Sequence, residues 1–195
     1  MGGVVFSLKG DLFAGRGEIR SAEVCDSLGS RERASAALTK ILPDRNAYQF
    51  EDSVRFCSGS DVPRYRSTCF VTGDGDQLLV AQSESLQNEP SNSWAKWVKG
   101  QAVNESSARS ATAFDAGEKA LASEGFAAVF MPCTFTGGKK REPLNTSVSV
   151  EVKPSARRAD RGKLMELTKS AASFAHERAK CDRLAKLGRP ATSGK

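Results

Sequence analysis

Five cysteines, one histidine and a few grouped acids are the residues here whose types could do chemistry. Cys25, Cys57, Cys69, Cys133 and Cys181 are separated by 32, 12, 64 and 48 positions, too far apart for a zinc knuckle or a CxxC redox pair. Cysteines spread this widely suit disulfides, which constrain the unfolded chain and form in an oxidising compartment. The competing reading is five buried, reduced thiols in a cytosolic protein, because free cysteine packs as a small hydrophobe. With an odd count, two bridges leave one thiol over, and spacing alone does not choose among the fifteen connectivities.

His176 precedes Glu177, but HExxH needs a second histidine where Lys180 stands. A lone histidine could activate a Ser or Cys nucleophile, yet the chain has no GxSxG elbow. A helical reading puts His176 on a polar face, so a solvated histidine is expected. Asp115, Glu118 and Glu124 fall in one region that could line a cleft for acid/base work. A calcium loop opening at Asp74 would need glutamate at its twelfth position, which is Ser85. GxGxxG is missing, and five residues rather than four separate Gly188 from Gly194 in GRPATSGK, so neither phosphate-binding fingerprint is met. No catalytic residue, metal ligand or cofactor is assigned.

Leu, Ile, Val and Phe make up 39 of the 195 residues, near the lower limit for a packed core, while a net charge of +6 still permits folding. The length suits one domain. Residues 153–195 hold 12 Lys and Arg against 4 acids, so all the excess positive charge is C-terminal. A basic end of this kind suits nucleic acid, an anionic membrane or a charged envelope, or is a solvated helix face. Nucleic acid fits less well, because the segment interleaves no aromatics beyond Phe174 for base stacking. Residues 2–8, GGVVFSL, read as the outer end of a membrane anchor begun upstream, or as an ordinary strand-forming N-terminus.

The elements that must position these groups follow from periodicity. Residues 21–41 read as a helix broken near Gly29-Ser30 and ended by Pro43. Residues 44–65 read as a loop with one short strand at 48–50. RYRSTCFVT and QLLVAQSESL flank an Asp-Gly turn as a hairpin, with Cys69 in its first strand. SNSWAKWVKG is an amphipathic helix whose Trp94 and Trp97 make either a binding anchor or a pair packed on a sheet. Residues 101–113 read as a linker. A second hairpin brings Cys133 to the end of an apolar strand, and the basic loop with Lys139, Lys140 and Arg141 leads into the alternating strand NTSVSVEV. The last helix, 160–184, has Leu164, Leu167, Ala171, Phe174, Arg178 and Cys181 on one stripe. The expected class is therefore α+β, a mostly antiparallel sheet with packed helices and a long C-terminal helix. Residues 1–20 form an N-terminal segment, 21–187 a single domain and 188–195 a disordered tail.

Together, EVCDSL, YRSTCFVTGDGDQLLVA, AAVFMPC and SAASFAHERAKC resemble a group of uncharacterised actinobacterial proteins with a membrane or lipid anchor and an extracytoplasmic domain. The resemblance covers roughly residues 20–187 and rests on cysteine placement and strand-helix order. It implies bridges from Cys25 to Cys69 and from Cys133 to Cys181, with Cys57 left as a free thiol, and it brings no active-site residues. It implies a non-enzymatic sensor, binding or envelope-associated domain held outside the membrane. Lys139, Lys140, Arg141 and the last helix would then face anionic headgroups or cell-wall polymers. The alternative is a cytosolic nucleic-acid-associated protein using residues 153–195.

Overall fold

The computed structural model of the protein describes residues 16–57, 64–101, 110–134, 143–152, 159–181 and 187, with the backbone alone for 57, 101 and 143–152. It is an α+β fold. Two 3-10 turns, Ser21–Glu23 and Asp26–Leu28, precede α1 (Arg31–Ile41). There follow β1 (Tyr48–Cys57), β2 (Arg64–Gly73), β3 (Asp76–Gln87), α2 (Ser91–Gln101), β4 (Thr112–Ala113), β5 (Lys119–Ala122), β6 (Phe126–Thr134), β7 (Pro143–Val152) and α3 (Arg161–Arg178).

The strands form one seven-stranded sheet in the order β1-β2-β3-β7-β6-β5-β4, antiparallel throughout. Each meander has short connections, which only antiparallel pairing allows. The β2–β3 hairpin closes through Asp74 and Gly75, both at positive φ (50° and 86°), with Gly73 paired to Asp76. This is the backbone that a two-residue Asp-Gly turn favours.

The two faces of the sheet are covered unequally. One carries the 3-10 turns, α1 and α3: Cys69, Val71, Leu79, Ala81, Val129 and Met131 pack there against Leu28, Leu38, Leu164, Leu167 and Ala172. On the opposite face α2 covers the β5–β6 half, seating Trp94 and Val98 on Leu121, Phe126, Ala128 and Phe130. Over β1–β3 that second face presents Gln49, Glu51, Ser53, Arg55, Arg66, Thr68, Phe70, Gln82 and Glu84, none of them fully buried. An antiparallel sheet tolerates a solvated face because its alternate residues can be polar.

Several boundaries differ from the sequence expectation. Residues 21–28 form two 3-10 turns rather than an α-helix, because Val24 and Cys25 between them are extended (ψ 140° and 132°), and Gly29 at φ 89° ends the second turn. What reads as a loop with a short strand is the ten-residue β1. The segment 101–113 ends in β4, and 102–109 lies outside the described residues. α3 ends at Arg178, since Lys180 has φ 54°, so Cys181 leaves the helix rather than continuing its stripe. Phe174 is only half-buried and Arg178 is exposed, its guanidinium 5.3 Å from the Phe174 ring, while Thr168, Ala172 and Ala175 supply the buried stripe instead. Residues 16–20 belong to the packed structure, not to a separate segment: Ile19 is buried, and the Gly17 N–H donates to the Arg45 carbonyl at 2.7 Å. Residues 1–15 and 188–195 lie outside the described residues.

Candidate functional site

Two cysteine pairs stand at disulfide distance. Cys25, between the 3-10 turns, meets Cys69 in the middle of β2, with Cα atoms 6.0 Å apart. Cys133, next to last in β6, meets Cys181 just beyond α3, with Cα atoms 4.8 Å apart. Cys25, Cys69 and Cys133 are buried. One tie therefore holds the N-terminal turns to the sheet and the other holds the end of α3 to β6. Buried, paired sulfurs of this kind are inert as nucleophiles and point to an oxidising environment. Cys57 closes β1 opposite Arg64, and its side chain lies outside the described residues.

The register gathers basic residues at one end of the sheet. The end of β1 pairs with the start of β2, which pairs with the end of β3; that in turn pairs with the start of β7, and β7 with the end of β6. Tyr65 faces the core, so the strand alternation puts Arg64 and Arg66 together on the second face. Arg55 stands directly across from Arg66, and Glu84 flanks Arg66 on its other side. From the helical layer, Lys180 reaches the same end, its ammonium 5.7 Å from the Phe56 ring. The joint between β6 and β7 leaves at Thr134 and returns at Pro143 here as well; Lys139, Lys140 and Arg141 belong to it and lie outside the described residues. Two arginines directly opposed across strands repel one another. An anion received between their guanidinium forks offsets that cost with paired, charge-assisted hydrogen bonds.

Asp115, Glu118 and Glu124 are each exposed, and His176 is half-buried on α3. Among the described residues no group of three His, Cys, Asp or Glu could hold a metal ion, and no helix is long and apolar enough to cross a membrane. The tryptophan pair divides: Trp94 is buried with its ring centroid 5.3 Å from that of Phe130, whereas Trp97 is 50% exposed. The sequence reading missed Arg55, Arg64 and Arg66. The alternating Arg-x-Arg of β2 was visible, but Arg55 joins it only once β1 is known to be a strand in this register.

No family model, curated protein or solved structure matches this chain.

Proposed function

We propose that this chain is a non-enzymatic extracytoplasmic domain, held at the outer face of a membrane, that uses the basic end of its sheet to bind an anionic surface such as lipid headgroups or envelope polymers. The observation that carries the reading is the pair of cysteine ties, which suit an oxidising compartment and secure a fold poor in large apolar side chains. Membrane attachment rests on the resemblance in cysteine placement and on the apolar residues 2–8. Anion binding rests on Arg55, Arg64, Arg66 and Lys180, joined in sequence by Lys139, Lys140 and Arg141.

The test takes protein from its native cells and alkylates it with and without reduction before intact-mass measurement. One thiol labelled directly and four more after reduction is the expected result. Five thiols labelled without reduction would overturn the extracytoplasmic reading. In a second arm, cosedimentation with phosphatidylglycerol vesicles should be strong at low salt and fall at high salt, since screening weakens exposed charges. Retention that is absent, or indifferent to salt, rejects the anionic surface.

A further inference from the structure

The two edges of the sheet are built differently. On the far side the sheet ends in β4, two residues long, a length that gives a foreign strand little to pair with. On the near side it ends in β1, ten residues long, without proline and paired to β2 without a bulge. Its outer row of backbone donors and acceptors is a template for another strand. Residues 51–56 are all exposed, and two of the three exposed large hydrophobics among the described residues, Val54 at 43% and Phe56 at 37%, lie on it.

The charges on β1 select the partner. We infer that β1 pairs antiparallel with β1 of a second copy of this chain, about a two-fold axis through Ser53. Such an axis stands normal to the sheet, so each face of one copy continues into the same face of the other, and only residues of equal parity oppose each other. Centring on Glu51, Asp52 or Arg55 opposes each of those residues to itself, charge against like charge. Centring on Val54 sets Ser53 against Arg55 and leaves both charges of the second face without a complement. Centring on Ser53 opposes Glu51 to Arg55 of the second copy, twice by symmetry, and Phe50 to Phe56, while Gln49 takes the position opposite Cys57. Directly opposed Cβ atoms lie about 4.5–5.5 Å apart, within reach of ion pairing. Within one chain, Arg55 faces Arg66 and Glu51 faces Phe70, so the complement to each is supplied across the axis. The contact is isologous and closes at two copies.

The inference shares Arg55 with the proposed anion site, but its test reads self-association rather than ligand binding, so the two can fail separately. Sedimentation equilibrium of the full chain over a wide concentration range should show a reversible dimer. Glu51→Arg places arginine against arginine and Arg55→Glu places glutamate against glutamate, so each should weaken dimerisation about tenfold or more. The double variant E51R/R55E re-forms the pair with reversed sign and should regain the dimer. Circular dichroism of each variant checks folding; should a single variant unfold, S53C in a C57S background tests the same register, since its thiol meets its own symmetry mate and should cross-link on mild oxidation. A wild-type chain monomeric at every concentration, single variants that leave the dimer intact, or a double variant that stays monomeric would each overturn the inference.

Discussion

Gly29 lies against the backbone of Ser170 in α3, at the point where the 3-10 turns give way to α1. A Cβ at position 29 would sit 2.7 Å from the Ser170 carbonyl oxygen, and the φ of 89° is itself costly for any residue with a side chain. Strain and overpacking together put the expected loss for Gly29→Ala at about 2–4 kcal/mol, read from urea unfolding. Gly75 is the control: its φ is 86°, but a Cβ there meets nothing within 4 Å. Gly75→Ala should therefore cost only about 1–2 kcal/mol. Equal losses at the two positions would show that the close approach to α3 contributes nothing.

The two tryptophans of α2 should separate in the same assay. Trp94 is fully enclosed by the β5–β6 half of the sheet and its ring is tilted at 46° to that of Phe130. Trp94→Ala removes this anchor and leaves a cavity, at a cost of about 3–5 kcal/mol. Trp97→Ala, at an exposed position on the outer side of α2, should change stability by no more than about 0.5 kcal/mol. A comparable loss from both would mean that Trp97 is covered in solution.

How much of this could be read from the sequence depends on whether burial contrasts along the chain. The β2–β3 hairpin was legible because Asp74-Gly75 dictates its turn and the residues of β2 alternate between core and second face. β7 was legible from its alternation, and α2 from the spacing of Trp94, Trp97 and Val98. β1 was not, because an edge strand whose residues 51–56 are exposed on both faces shows no in-and-out pattern. The 3-10 turns were misread for the opposite reason: Val24 and Leu28 are both buried at helical spacing, although the chain between them runs extended through Val24 and Cys25 before its second turn. Opposition of Arg55 and Arg66 is a matter of register, and register is set by a whole hairpin rather than by any local signal.

Reduction should weaken the fold at both ties. Cys25–Cys69 and Cys133–Cys181 close sequence separations of 44 and 48 residues, for which chain entropy gives about 4 kcal/mol each. The variants C25S/C69S and C133S/C181S should each lower the urea midpoint. Because the ties hold different elements, their losses should add to within about 0.5 kcal/mol. An unchanged midpoint after complete reduction would show that the paired sulfurs contribute nothing to stability.

Tyr65 gives the fold a dependence on alkaline pH. Its side chain is buried on the core face of β2, and burial pushes the phenol above its usual 10.0. The hydroxyl donates to Ser67 Oγ at 3.0 Å. A raised value in the folded state means that the native protein keeps a proton which the unfolded chain has already lost. This contribution is thus fully present below about pH 10 and is lost as pH rises through the folded value. Urea midpoints measured between about pH 8 and 12 should be level at first and then fall, with tyrosinate absorbance rising alongside. In Tyr65→Phe the hydrogen bond is gone, at a cost of about 1 kcal/mol near neutral pH, and the alkaline decline should flatten. An undiminished decline in that variant would assign the transition to other groups and return Tyr65 to a purely packing role.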